Sequence, residues 1–150
     1  MKKVIVMRVE NVMVSMKNVE MWEKKNEGCM DYGKKREEYL KGSFVKLKLK
    51  SGLGEDLERL MFLRRRMEGM RLYVVSGYER SLVGRLLENL GIGVDGMFGS
   101  VGKVLDEYGV EKENVVVFGN EDDVKVCEEL GIKGVEGLED VWGGIGLRRS

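Results

Sequence analysis

An α/β domain, a three-layer Rossmann-like parallel sheet with helices on both faces, is what this sequence predicts, and three observations predict it. Short apolar runs rich in β-branched residues recur along the chain at Val4–Val9, Leu72–Val75 and Val115–Phe118, with the length and composition of buried strands. Amphipathic helical patterns lie between and after them. Each of these patterns is followed closely by a glycine, at Gly69, Gly91, Gly109 and Gly131, the residue that accepts the left-handed conformation ending a helix. Helix, glycine and strand in repetition are the signature of parallel strands joined by crossover helices.

The elements follow in order. Val4–Val9 opens the sheet, because an apolar run that stops at Arg8 and Glu10 is too short for a membrane or leader segment. The next stretch, Ser15–Lys50, breaks the rhythm. It carries Met21, Trp22, Tyr32, Tyr39 and Phe44 among many lysines and glutamates and predicts one or two helices forming a small cap over the carboxyl edge of the sheet. Alternation of apolar and polar residues in Phe44–Lys50 predicts a half-exposed extended piece. Leu53, Leu57, Leu60, Met61 and Met67 share one helical face, and Leu82, Val83, Leu86, Leu87 and Leu90 another. Val101, Val104, Leu105 and Tyr108 predict a shorter helix, and Val124, Cys127 and Leu130 the last clear one.

Composition sets the limits. At 150 residues, 43% hydrophobic and 35% charged, the chain suits one domain spanning residues 1–150. Cys29 and Cys127 have no metal-ligand spacing and read as free thiols of a reducing cytoplasm. The first 75 residues hold 18 basic and 11 acidic side chains, net +7, and the last 75 hold 8 and 15, net −7. The uneven charge is read as solvated helix surface, and neither nucleic acid nor membrane is expected as a partner. Ala, His, Pro, Gln and Thr do not occur at all, although ordinary usage gives about seven prolines in such a length. Every codon of these five residues contains cytosine, and the other fifteen can be encoded without it. The pattern predicts an engineered gene written without cytosine, or an equivalent reduced-alphabet design. The lack of His removes histidine general-base chemistry and a cysteine–histidine nucleophile.

In open α/β sheets ligands lie beyond the carboxyl ends of the strands. Three such ends are legible: Arg8-Val9-Glu10-Asn11-Val12-Met13-Val14, Ser76-Gly77-Tyr78 and Gly119-Asn120-Glu121-Asp122-Asp123. Their order and spacing resemble the haloacid dehalogenase superfamily, whose first strand ends in Asp-x-Asp, whose second ends in Ser or Thr, and whose last motif is Gly-Asp followed by acids. Met97-Phe98-Gly99-Ser100 resembles the segment before that family's lysine, matching it to Lys103, and Gly131–Val135 resembles the strand after the acidic motif. The resemblance runs from Lys3 to about Gly144 and implies a phosphatase-like hydrolase fold.

The departures from that pattern matter as much. By the resemblance, the catalytic positions are Arg8 (nucleophile), Glu10 (acid/base), Ser76 and Lys103, the metal positions are Asn120, Asp122 and Asp123, and Ser76, Gly77 and Lys103 are the implied phosphate-binding residues. A guanidinium is no nucleophile for phosphorus, and its fixed charge repels a metal. The expectation is therefore a pseudo-enzyme or engineered scaffold that needs no cofactor, binding phosphate or another small anion weakly. Mg²⁺ belongs to the alternative in which weak phosphatase activity is retained. A receiver-like or flavodoxin-like binding domain is the remaining alternative. Plain structural roles compete at each position: Arg8 pairing with Glu10, Asp122 or Asp123, Ser76 capping a helix, Lys103 a surface residue, and Asp122 and Asp123 favouring a helix N-terminus.

Overall fold

In a computed structural model of the chain, residues 3–107 and 109–144 are described, residues 142–144 by their backbone alone. The expected helical position of Tyr108 lies outside the described residues.

All three predicted apolar runs are central strands. β1 (Lys3–Arg8), β2 (Met70–Val75), β3 (Gly96–Phe98), β4 (Val115–Phe118) and β5 (Lys133–Val135) form one sheet in the order β3-β2-β1-β4-β5. Every neighbouring pair is parallel. Ile5 lies opposite Leu72 and Val116, and Met7 opposite Val74 and Phe118. That register sends Ile5, Met7, Leu72, Val74, Val116 and Phe118 to one face and Val4, Val6, Tyr73, Val75, Val115 and Val117 to the other. Strands buried on both faces are continuous apolar runs for this reason.

Seven α-helices accompany the strands among the described residues: α1 (Lys17–Asn26), α2 (Tyr32–Ser43), α3 (Gly54–Arg66), α4 (Arg80–Leu90), α5 (Val101–Val104), α6 (Glu121–Leu130) and α7 (Leu138–Gly144). Leu57 and Leu60 of α3, Leu82, Val83, Leu86 and Leu87 of α4, and Leu138 and Val141 of α7 cover the first face. Val101 and Val104 of α5 and Cys127 of α6 cover the second. Gly91 and Gly131, at φ 73°, close α4 and α6 and direct their amides back to the last carbonyls, as the apolar-then-glycine pattern predicts.

The chain winds outward from β1 through β2 to β3, then returns to the other side of β1 for β4 and β5. The direction reverses between β1 and β4, and the carboxyl ends of those two strands border the switch-point crevice. A flavodoxin-like or receiver sheet has the order 2-1-3-4-5, with the first strand between the second and third. Here β1 lies between β2 and β4, so that alternative fails.

The insertion after β1 forms the helix pair α1 and α2, joined by stacking of Trp22 on Tyr39 at 4.3 Å between ring centroids. The expected extended piece is corrected. Phe44–Lys46 is a 3-10 turn, and only Leu49 pairs, through an isolated antiparallel bridge to Val14. Phe44 and Val45 are adjacent and both buried, which a strand with one solvated face does not permit, since successive side chains then point to opposite sides. Val19, Leu40, Phe44 and Val45 enter the same core as the sheet. Among the described residues no helix is long and apolar enough to cross a membrane.

The first-face core is the larger, and Leu86 is fully buried in it, whereas Met30 is 86% exposed. Leu86→Ala is expected to lower stability by about 2–5 kcal/mol through the transfer and cavity terms. Met30→Ala is expected to change it by less than about 0.5 kcal/mol. Urea denaturation of the two variants checks both.

Candidate functional site

The carboxyl ends of β1, β2 and β4 converge on a set of polar side chains in otherwise apolar surroundings. Arg8 is the last residue of β1. Its Nε donates to Asp123 Oδ2 at 3.1 Å and to Oδ1 at 3.3 Å, and its Nη2 donates to Asp123 Oδ1 at 2.7 Å. Its Nη1 reaches Glu10 Oε2 at 3.4 Å. The guanidinium fork thus clamps one carboxylate side-on and touches a second.

Asp123 is held as firmly from its own side. It is the third residue of α6, and it forms a capping box with Asn120. The Asp123 amide donates to Asn120 Oδ1 at 2.9 Å, and the Asn120 amide donates to Asp123 Oδ2 at 3.1 Å. A Cβ on Gly119 would lie 2.5 Å from the Asp123 Cβ and Oδ2. Only glycine lets the tip of β4 pass so close to that carboxylate.

Glu10 projects from a tight loop. Asn11 takes a left-handed conformation at φ 61°, its side chain accepts the Met16 amide, and Glu10 bridges to Val14. The loop aims the Glu10 carboxylate at β2, where Glu10 Oε1 accepts from the Ser76 hydroxyl and Oε2 accepts from the Gly77 amide at 3.3 Å. Ser76 Oγ in turn accepts the Tyr78 amide at 3.1 Å. Ser76 therefore closes a local serine turn rather than capping α4, which starts four residues later, at Arg80. Ser76 and Asp123 are among the few buried polar residues.

The Arg8 pKa is raised. Burial acts to lower it, and the hydrogen bonds and negative charges of Asp123 and then Glu10 more than offset that. The cation is therefore a permanent feature of the site.

Of the other candidates, Asn120 joins this cluster only as the cap of α6, while Asp122 and Lys103 have no part in the hydrogen bonds described above. Asp122 is exposed, and so is Asn120 apart from its cap. Lys103, on α5, is exposed as well. It lines a cleft of about 650 Å³ beside edge strand β3 together with Ser76, Tyr78, Arg80, Asp95 and Glu107. The cleft's lining does not include Arg8, which is turned toward Asp123 and Glu10 by the pull of two carboxylates. Ser76 and Lys103 thus share this cleft, and Arg8 stands outside its lining.

Sequence reasoning missed the part played by the insertion. Tyr78, just past β2, stacks on Phe44 at 4.6 Å, lies under the Arg36 guanidinium, and donates from its hydroxyl to Glu23. A lone aromatic after Ser-Gly carries no signal for such partners, which come from 34 or more residues away.

The residues present do not fit Mg²⁺. That ion takes near-octahedral oxygen ligands at about 2.0–2.1 Å, carboxylates and waters above all. Each carboxylate oxygen of Glu10 and Asp123 already accepts a hydrogen bond, and a guanidinium lies between the two groups. Among the described residues no group of three or more His, Cys, Asp or Glu is placed to hold a metal.

This architecture has close counterparts among solved structures. A dehalogenase superposes with a TM-score of 0.68 over 99% of this chain and 98% of its own, at 12% identity. The fold is that of the haloacid dehalogenase superfamily. The L-2-haloacid dehalogenase of Xanthobacter autotrophicus with chloropropionic acid covalently bound aligns at a TM-score of 0.59 and 15% identity, over 89% of this chain and 76% of that one. A phosphoserine phosphatase in its apo form aligns at 0.53 and 18%, over 88% and 84%. No protein-family model and no curated protein matches the sequence. At such low identities the haloacid dehalogenase likeness is one of fold.

Two outcomes test the geometry. Arg8→Met leaves Asp123, whose side chain is 5% exposed, as an unpaired buried charge. The expected loss is about 3 kcal/mol, the lower end for breaking a buried pair because Arg8 itself is partly exposed. Adding Asp123→Asn, which keeps the cap acceptor and drops the charge, is expected to recover more than half of it, as urea midpoints will show. The second outcome concerns Tyr78, whose phenol is pushed up from 10.0 to about 12, first by burial and then by the Glu23 charge. The folded state holds this proton more tightly, so its contribution is complete below about pH 10 and is lost as pH rises to about 12. Wild-type stability is expected to fall more steeply across that window than that of Tyr78→Phe.

Proposed function

We propose that the chain is a haloacid dehalogenase-type scaffold without phosphohydrolase or dehalogenase turnover, a pseudo-enzyme or designed variant of the fold. The observation that carries this reading is the bidentate pairing of Arg8, at the carboxyl tip of β1, with Asp123. A phosphoaspartyl route needs a carboxylate nucleophile at that strand tip, a second carboxylate as acid/base, and further acidic ligands for Mg²⁺. Arg8 supplies a cation where the nucleophile is needed, and its field opposes a divalent ion. Glu10 is tied down by the Ser76 hydroxyl and the Gly77 amide, so its carboxylate is not disposed toward an incoming water.

The absence of Ala, His, Pro, Gln and Thr supports a designed origin for the sequence. Arg8 and Asn120 are not consequences of that restriction, since aspartate occurs elsewhere in the chain. Free Cys29 and Cys127 favour a reducing, cytoplasmic setting. The resemblance implies phosphate or another small anion as the ligand class of Ser76, Gly77 and Lys103, but Glu10 already accepts from the Ser76 hydroxyl and the Gly77 amide, so such binding to the intact chain is weak at most.

A chromogenic phosphate ester with excess Mg²⁺ is the test. Turnover is expected to equal that of buffer. Robust Mg²⁺-dependent hydrolysis by the chain as written, abolished in Glu10→Gln, contradicts the reading and favours a retained phosphatase.

A further inference from the structure

Three hydrogen-bond donors at the β1 and β2 tips aim at one spot, and Glu10 occupies it. The Ser76 hydroxyl donates to Glu10 Oε1, while the Gly77 amide and Arg8 Nη1 reach Glu10 Oε2 at 3.3 and 3.4 Å. Ser76 is 6% exposed, so its hydroxyl has little solvent to turn to. Its oxygen already accepts the Tyr78 amide, which leaves the hydroxyl proton directed at Glu10. A neutral hydroxyl, a backbone amide and a guanidinium on one carboxylate make a built anion pocket.

We propose that Ser76, Gly77 and Arg8 form a carboxylate-binding pocket that Glu10 fills from within, so that the chain carries its own anion and admits an external carboxylate only when Glu10 is removed. The filling rests on hydrogen bonds and holds whether or not the chain turns over a phosphate ester. The ligand class follows from the occupant. Two oxygens in one plane meet the hydroxyl on one side and the amide and guanidinium on the other, and a small monocarboxylate repeats that arrangement. A tetrahedral oxyanion such as sulfate brings more negative charge, which the Asp123 carboxylate, also held by Arg8, opposes. Beyond Cβ, the glutamate side chain is a methylene and a carboxylate, so acetate restores in trans what Glu10→Ala removes.

The experiment is a thermal titration of Glu10→Ala with sodium acetate, against sodium chloride at matched ionic strength. The variant is expected to melt below wild type in chloride. Its midpoint is expected to rise saturably, by roughly 3–6 °C once acetate exceeds its Kd tenfold. Wild type, whose pocket is full, is expected to show no acetate-specific rise, and Glu10→Ala/Ser76→Ala is expected to lose most of it. If Glu10→Ala is unfolded in chloride, recovery of its folded circular-dichroism signal in acetate is the same result. No acetate-specific response in Glu10→Ala, an equal response in wild type, or a response to phosphate and sulfate but not acetate overturns the proposal.

Discussion

The ion pair between Arg8 and Asp123 is the contact on which the carboxyl end of this sheet depends. It joins the tip of β1 to the first turn of α6 across the point where the chain reverses its winding direction. Two parallel strand tips and a helix N-terminus meet there, and a parallel sheet offers no backbone partner beyond its last ladder bond. Something must bridge the crevice. A guanidinium does so with a fork that fits one carboxylate side-on and still reaches a second. Several local features then serve that geometry. Gly119 lets β4 approach the Asp123 side chain, the Asn120 cap fixes its rotamer, and the left-handed Asn11 turn brings Glu10 to the far side of the cation.

Burial makes the arrangement demanding. Asp123 is almost completely enclosed, and a carboxylate taken out of water must recover its solvation from the protein. It does so through Arg8 and the Asn120 amide, and its place in the first turn of α6 adds the favourable field of the helix dipole. Arg8 carries one positive charge between two negative ones, so the cluster is formally −1 and internally saturated. A site of this kind is well suited to fixing strand ends. The same saturation separates Arg8 from the Lys103 cleft, where a basic residue remains exposed.

Much of the fold is legible in the sequence because burial on both faces of a parallel sheet writes itself as uninterrupted apolar runs. Val4–Val9, Leu72–Val75 and Val115–Phe118 carry that signal strongly, and Gly91 and Gly131 mark helix ends by a conformational requirement. The Phe44–Lys50 segment misleads because its alternating letters imitate a half-exposed strand, while the burial of both Phe44 and Val45 forces a turn. At the site, the residues are legible and their partners only partly so. Asn120-x-x-Asp123 has the spacing of a capping box, and Arg8 with Glu10 two residues on announces a charge pair. The choice of Asp123 over Asp122 as the main partner is a matter of helical phase at the start of α6. Tyr78 belongs to a contact set assembled from distant segments, which no local pattern encodes.

If Arg8 holds the strand tips in place of a metal, exchanging the cation for carboxylates must hand the site back to one. Isothermal calorimetry with Mg²⁺ on the triple variant Arg8→Asp, Glu10→Asp, Asn120→Asp, alongside the unaltered chain, measures this directly. The net charge of those three positions falls from 0 to −3, and Asp123 is released from its guanidinium. Saturable Mg²⁺ binding to the triple variant, with none to the unaltered chain, is the expected result. A triple variant that folds and binds no Mg²⁺, or an unaltered chain that binds it equally well, contradicts the account.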